Sequence, residues 1–143
     1  ANGVHHLKND DLVVLFPEGE HGNFKPSSKR YRLQPFKRGF VRMAVESQSV
    51  IVPTVIVGAE ETHINLKKIV FTKYLRGLIL PLPLNILPLP ARWKIRFLKP
   101  VKVPFKKTAI DNSELMHGIA EDIREDMQQV LVEELTKRNT VYF

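Results

Sequence analysis

The chain has 143 residues, of which 43% are hydrophobic and 26% charged, and it contains no cysteine. These values fit a single domain over residues 1–143 and exclude disorder, a disulfide scaffold, a thiolate metal site and a cysteine nucleophile. No apolar run is long enough to cross a bilayer as a helix, and the first residues, ANGVHHLKNDD, contain no signal-peptide core. The first residues are typical of the interior of a longer sequence, so we expect the chain to be part of a longer protein.

The net charge of +7 is distributed unevenly along the chain. Residues 25–107 contain 18 of the 22 basic residues and three acidic ones, whereas residues 111–134 contain eight acidic residues and one arginine. A basic surface attracts phosphate, whether in nucleic acid, anionic lipid headgroups or a phosphorylated metabolite. Charge alone leaves these three partners open.

The apolar pattern of the first half predicts alternating strands and helices. Residues 11–17 predict a strand that is buried on both faces and ends at a proline. Residues 39–47 predict a short helix, and residues 49–58 predict a second buried strand with Pro53 at an edge or a bulge. Residues 62–75 predict a weak helix.

The second half begins with an unusual proline-rich stretch at residues 76–92, which has no charge between its two arginines. Its prolines exclude a regular helix or a central strand. It could line an apolar channel, lie in a membrane interface, or form a buried connection. Residues 93–98 alternate apolar and basic, which predicts a half-buried strand. Residues 111–137 begin with a capping box and predict a long amphipathic helix with an acidic outer face. This order predicts an α/β fold, a three-layer mixed sheet covered by helices.

The loop after the first predicted strand is the strongest candidate for a functional site. It reads FPEG, from Phe16 to Gly19, and ligands of open α/β sheets bind at the carboxyl ends of strands. Glu18 offers a carboxylate at the sheet edge, and Gly19 and Gly22 allow the backbone to approach a ligand closely. Taken alone, this motif is equally compatible with a plain turn.

Four sequence blocks in order resemble the glycerolipid acyltransferases, in particular bacterial proteins related to 1-acylglycerol-3-phosphate acyltransferase. The blocks are FPEG at 16–19, K-P…R-Y-x-L-x-x-F-x-R-G-F within 25–40, V-P at 52–53 and LPLPARWKIRFLKPV at 87–101. The resemblance implies acyl transfer from acyl-CoA or acyl carrier protein, as co-substrate, to a lysophospholipid or glycerol-phosphate hydroxyl. It also implies no cofactor or metal, and a peripheral position on the cytoplasmic side of a membrane.

The resemblance further implies a substrate-binding site. In the widespread form of the family the FPEG block continues to an arginine that is taken to hold the substrate phosphate, but Glu20 and His21 occupy those positions here. Other basic residues must then bind phosphate, as lysine and arginine side chains do well, and Arg32 is one candidate. The predicted substrate-binding residues are Phe16, Pro17, Glu18, Gly19, Lys25, Lys29, Arg30, Lys37 and Arg38.

The family's catalytic block is H-x-x-x-x-D, in which histidine is the general base on the acceptor hydroxyl and aspartate orients the imidazole. The chain contains three such spacings, His5/Asp10, His6/Asp11 and His117/Asp122. None lies where the family places its pair, so we interpret all three as accidental and expect the catalytic pair upstream of Ala1. We accordingly expect the chain alone to transfer no acyl groups.

Two alternatives to an enzyme remain at this stage. A non-catalytic module that binds anionic lipid or a membrane surface would use the same basic residues and the apolar proline-rich stretch. A nucleic-acid-binding protein would explain the charge but neither FPEG nor the prolines, and few aromatic residues lie among the basic ones. The expected partners are therefore the acceptor, the acyl thioester donor and an anionic membrane surface, without nucleic acid.

Overall fold

The fold combines four helices with four short strands, as a computed structural model describing residues 2–23, 25–71 and 78–142 shows. This confirms the α/β class. The helices are α1 (Asn2–Lys8), α2 (Glu20–Asn23), α3 (Gly39–Ser47) and α4 (Ser113–Thr136). The strands are β1 (Thr54–Val57), β2 (Asn65–Phe71), β3 (Leu78–Pro83) and β4 (Lys94–Phe97). Three short 3-10 turns cover Ser27–Lys29, Ala59–Glu61 and Lys107–Asp111.

Within the described residues the strands form two separate antiparallel pairs. β1 pairs with β4, with Thr54 opposite Phe97 and Val57 opposite Lys94, and β2 pairs with β3. An isolated bridge joins Ile51 to Val101, so Pro53 interrupts the predicted strand at 49–58, as its missing N–H requires. The three-layer mixed sheet stays a prediction.

The predicted buried strand at residues 11–17 is wrong in its burial and its pairing. Residues 11–16 form no strand, Leu12 is 90% exposed and Phe16 is 73% exposed. Among the described residues, no backbone hydrogen bond is donated by the N–H groups of residues 12–16. An apolar run forms a sheet strand only where a neighbour pairs with it, and within the described ranges no neighbouring strand pairs with residues 11–16.

Two further segment predictions need correction. The weak helix at 62–75 is wrong over Asn65–Phe71, which is β2, and residues 72–75 lie outside the described residues. The strand at 93–98 is confirmed as β4, but its residues are exposed rather than half-buried. At Asn65–Phe71 the pairing with β3, rather than the local pattern, determines the structure.

The core lies where α4 packs against α3 and β1. Phe36, Val41 and Val45 pack against Met116, Ala120 and Ile123 of α4, whereas Val55 and Val57 of β1 pack near Leu131. The predicted helices at 39–47 and 111–137 are confirmed, but the N-cap of α4 is Asn112, whose side-chain oxygen accepts from the Leu115 N–H at 3.0 Å. No helix in the described part of the chain is both long and apolar enough to cross a membrane.

Gly58 fixes the crossing between β1 and the chain that enters β4. Its φ is 101°, and its N–H donates to the Tyr31 hydroxyl at 3.1 Å. A Cβ at this position would lie 2.1 Å from the carbonyl oxygen of Arg92. The two backbones therefore approach each other at a place where a side chain does not fit.

Candidate substrate-binding site

The FPEG motif forms a tight turn that is covered by the Lys37 side chain. The Gly19 N–H donates to the carbonyl oxygen of Phe16 at 3.1 Å, and the φ of Gly19 is 58°. The Lys37 N–H donates to the carbonyl oxygen of Pro17 at 3.0 Å. A Cβ on Gly19 would lie 3.2 Å from Lys37 Nζ, so the absence of a side chain leaves room for the lysine. The turn therefore carries a cation at its glycine.

Glu18 joins this turn to the basic segment that follows. Its Oε2 accepts from the Gln34 N–H at 2.8 Å and lies 3.9 Å from Lys25 Nζ. A Cβ on Gly22 would lie 2.6 Å from the Glu18 Cβ, so the space at Gly22 is filled by the Glu18 side chain rather than left for a ligand. Glu18 thus positions the loop from which the basic residues project.

Lys25 is placed inside the protein rather than on the basic surface. It is 7% exposed, and its Nζ lies 2.8 Å from Glu60 Oε1 and donates to the carbonyl oxygen of Arg32 at 2.9 Å. A buried ammonium needs such partners, because desolvation of an unpaired charge is costly. Its predicted contact with substrate stays a prediction, and its observed contacts hold the loop together.

The other predicted basic residues are exposed. Lys29 ends the 3-10 turn Ser27–Lys29, Arg30 follows it, and Arg38 lies immediately before α3. Arg38 and Lys37 thus precede a helix N-terminus, where backbone N–H groups and the helix dipole favour an anion. Phe16, at the start of the turn, is exposed as well.

The loop that carries these residues is held by hydrogen bonds to Tyr31, which is buried. The φ of Tyr31 is 61°, its N–H donates to Glu60 Oε2 at 2.8 Å, and its carbonyl oxygen accepts from Gln128 Nε2 at 2.9 Å. Burial of the phenol is the larger cause, and its hydrogen bond with Glu61 the smaller one, of a rise in the pKa of Tyr31 to about 12. The phenol is therefore neutral at physiological pH and acts as an acceptor for Gly58.

One of the three H-x-x-x-x-D pairs, His6 and Asp11, is hydrogen-bonded in the structure. His6 Nδ1 lies 2.9 Å from Asp11 Oδ2, and since a carboxylate only accepts, the imidazole N–H is the donor. Both side chains are more than half exposed. His5 instead contacts Asn9, with 3.3 Å between His5 Nε2 and Asn9 Nδ2. The expectation of an upstream catalytic pair stays a prediction.

Sequence reasoning missed the residues that orient the basic loop, above all Glu60 and Gln128. Glu60 carried a usable signal, because it is one of three acids among the 18 basic residues of positions 25–107 and so was a candidate internal counter-ion. Gln128 carried no such signal. Its side-chain oxygen accepts a hydrogen bond from the Leu33 N–H at 2.8 Å, but the two residues lie 95 positions apart in the sequence. Among the described residues no group of three His, Cys, Asp or Glu side chains is arranged to hold a metal ion.

The comparisons with known proteins agree with the sequence blocks. The family model described as Acyltransferase matches residues 1–57. An uncharacterised protein of Mycobacterium tuberculosis (strain ATCC 25618 / H37Rv) is 34% identical over 148 residues, covering 96% of this chain and 41% of its own length. A 1-acyl-sn-glycerol-3-phosphate acyltransferase of Limnanthes douglasii is 35% identical over 78 residues, covering 54% of this chain and 22% of its own length. A protein of Cocos nucifera with the same name is 37% identical over 62 residues, covering 43% and 17%.

These similarities support the glycerolipid acyltransferase family that the four sequence blocks predicted. The chain spans about two fifths of the length of the mycobacterial relatives that it matches. No solved structure matches it significantly.

Proposed function

We propose that the intact protein transfers a fatty acyl group from a thioester donor, acyl-CoA or acyl carrier protein, to the hydroxyl of a lysophospholipid or glycerol phosphate. The observation that carries the proposal is the Lys37 ammonium over Gly19 of the FPEG turn, in a chain of this family. The similar proteins of Limnanthes douglasii and Cocos nucifera, named as 1-acyl-sn-glycerol-3-phosphate acyltransferases, support an acceptor that carries phosphate.

The chain would supply the acceptor's phosphate site. Lys37 and Arg38 lie before the N-terminus of α3, so their charges and the helix dipole favour the same anion. Lys29 and Arg30 project from the neighbouring loop and add exposed positive charge. Glu18 and Lys25 act as positioning residues, because their observed contacts are to Gln34, Glu60 and Arg32 within the protein.

The reaction is an addition followed by an elimination. The acceptor hydroxyl oxygen attacks the thioester carbonyl carbon while a general base takes its proton, and the carbon–sulfur bond then breaks. The thiol leaves with one proton, and an oxygen ester is formed. The resemblance implies a histidine base oriented by an aspartate, and the phosphate site holds the acceptor so that its hydroxyl can reach the donor.

The fold of the intact protein belongs to the same proposal. We infer a three-layer mixed sheet covered by helices, which the observed combination of helices and strands supports.

The test is to measure binding of glycerol 3-phosphate to the chain, and acyl transfer from acyl-CoA to lysophosphatidate by the intact protein. Lys37→Gln and Arg30→Gln should each weaken acceptor binding about three- to tenfold, and less at high salt, because exposed charges are screened over about 8 Å at physiological ionic strength. Lys106→Gln is the matched control, because Lys106 is an exposed lysine near the opposite end of α3. It follows Phe105, whose carbonyl oxygen accepts a hydrogen bond from the side chain of Gln48, the residue after α3. Equal binding by all variants would remove these residues from the site. Binding without any acyl transfer by the intact protein would contradict the enzymatic proposal.

A further inference from the structure

The Gln128 side chain of α4 holds the basic loop through two hydrogen bonds. Its amide donates to the carbonyl oxygen of Tyr31 at 2.9 Å and accepts from the Leu33 N–H at 2.8 Å. A primary amide has one oxygen and one NH₂ group, so the two bonds use both and require a single orientation of the side chain. In the described part of the chain no strand pairs with residues 31–34. The amide therefore satisfies two backbone groups that a neighbouring strand would otherwise satisfy.

The helix that carries Gln128 is fixed by the core on that side. Met127, the residue before Gln128, packs against both core clusters, and Leu131, three residues later, is buried. A side chain that starts from a helix packed in this way has little freedom to follow movements of a loop. The loop therefore takes its position from α4.

Arg32 lies between the two residues that Gln128 holds, and its own carbonyl oxygen accepts from Lys25 Nζ at 2.9 Å. The Arg32 side chain is exposed. Glu18 and Glu60 both accept from backbone N–H groups of this segment, but their ion pairs are to Lys25. Among the described residues no carboxylate forms an ion pair with the Arg32 guanidinium. Arg32 thus combines a fixed backbone with a positive charge that no described carboxylate neutralises.

This combination suits a phosphate ligand. A guanidinium binds phosphate best through two parallel N–H groups, so the direction of the side chain counts as well as its charge. A fixed backbone limits the directions that Arg32 can take and lowers the entropy that is lost on binding. The Gln34 N–H, two residues further on, donates to Glu18 of the FPEG turn at 2.8 Å, which places Arg32 beside the candidate site.

We propose that Gln128 is a positioning residue for acceptor binding and that it acts through Arg32. The Gln128 amide fixes the backbone on both sides of Arg32, and the Arg32 guanidinium then binds an oxygen atom of the acceptor's phosphate. The inference rests on the proposed function, to which it adds Arg32 as a binding residue and α4 as the helix that supports it.

The first test is titration of glycerol 3-phosphate into variants of the chain. Gln128→Met keeps the length of the side chain but loses both hydrogen bonds, and it should weaken binding about three- to tenfold. Gln129→Met, at the exposed neighbour on the same helix, is the matched control and should bind as the unchanged chain does. Far-ultraviolet circular dichroism checks that each variant folds, and Gln128→Ala is a second variant with the same expected loss.

A double-mutant cycle shows whether Gln128 acts through Arg32. Arg32→Gln alone should weaken binding about three- to tenfold, and Gln128→Met should then add less than about twofold. In the Lys37→Gln background Gln128→Met should keep its full effect, because the Lys37 N–H is held by Pro17 instead. A general loosening of the loop would weaken binding in both backgrounds. In the intact protein, Gln128→Met should raise the KM for lysophosphatidate and leave kcat within about twofold.

The chain without ligand gives a readout that needs no acceptor. The sequence contains no cysteine, so a nitroxide attached to Arg32→Cys labels this position alone. We expect Gln128→Met, but not Gln129→Met, to increase the mobility of the nitroxide in its electron paramagnetic resonance spectrum.

Equal nitroxide mobility in these two variants would overturn the positioning role. Unchanged acceptor binding in Gln128→Met, or equal losses in the Arg32→Gln and Lys37→Gln backgrounds, would overturn it as well. Each of these failures occurs with an unchanged chain that binds glycerol 3-phosphate. Absence of binding by the unchanged chain is a different result, which contradicts the proposed phosphate site and the binding role of Arg32 together.

Discussion

The ammonium of Lys25 lies 2.8 Å from a carboxylate oxygen of Glu60, and this ion pair joins the loop after the FPEG turn to the 3-10 turn after β1. The second oxygen of Glu60 accepts from the Tyr31 N–H. One carboxylate therefore holds both a buried lysine and a residue in the left-handed conformation. The exposed basic residues Arg30 and Arg32 flank Tyr31, so their placement depends on this pair.

Lys25→Gln should reduce the free energy of unfolding by about 1–3 kcal/mol, because Glu18 and Glu60 lose a counter-ion that is buried between them. The partial exposure of the two carboxylates keeps the effect below that of a fully buried pair. Urea denaturation followed by circular dichroism measures it. Lys29→Gln removes an exposed lysine of the same loop and should stay within about 0.5 kcal/mol. Equal losses in the two variants would contradict an internal role for Lys25.

Glu18→Ala should weaken acceptor binding about three- to tenfold while the far-ultraviolet circular dichroism stays native. The Gln34 N–H loses its acceptor, and the basic loop then loses its link to the FPEG turn. Glu18→Gln keeps a side-chain oxygen and should recover most of the binding. Titration of glycerol 3-phosphate into each variant gives the comparison, and unchanged binding in Glu18→Ala would leave Glu18 as a plain turn residue.

His6→Ala should leave acyl transfer by the intact protein unchanged within about twofold, because the pair does not lie where the family places its catalytic residues and both side chains are more than half exposed. A general base usually contributes on the order of 10²–10⁴ in rate, so the two outcomes are well separated. Thiol release from acyl-CoA is the readout, and His5→Ala is the control for loss of an exposed imidazole. A loss of that size in His6→Ala alone would identify His6 as the base.

Tyr31→Phe should destabilise the fold by about 1–3 kcal/mol, because the buried N–H of Gly58 is left without its acceptor. Tyr142→Phe, at a partly exposed tyrosine, should change stability by less than about 0.5 kcal/mol. Thermal and urea denaturation of the two variants decide the point. A small effect in both would mean that water replaces the phenol oxygen.

The pH dependence of stability should reveal Glu134. Hydrogen bonds from Lys94, and then from Arg96, lower the pKa of Glu134 from 4.5 to about 2. A lowered pKa means that the carboxylate stabilises the folded chain above pH 4.5, and that this contribution is lost as the pH falls toward 2. Glu134→Gln should therefore flatten the fall in urea stability between about pH 5 and about pH 2. Glu133→Gln, at an exposed neighbour, should preserve it.

Local signals were sufficient for α3 and α4, whereas α1 and α2 were not predicted. The apolar spacing of α3 and the capping residues before α4 act within a few residues, so the sequence contains the whole reason for both helices. The FPEG turn was likewise predictable, because its glycine and proline determine its backbone.

Pairing and side-chain direction were not predictable in the same way. The alternation in 93–98 predicted a strand, but it could not show that Lys94 and Arg96 face α4, because Glu134 lies about 40 positions later. The burial of Lys25 depends similarly on Glu60. The segment 11–17 was overestimated because an apolar run indicates a strand without supplying its partner.

Gly58 gives a criterion for recognising distant relatives of this chain. Its positive φ and the carbonyl oxygen of Arg92 leave no space for a Cβ, so every alternative amino acid requires a different path between β1 and β4. A remote sequence that aligns to this family and has a side chain at this position cannot share the crossing, even if its FPEG block is intact. A protein that keeps the FPEG motif but lacks this glycine therefore shares the turn and has a different backbone path between β1 and β4.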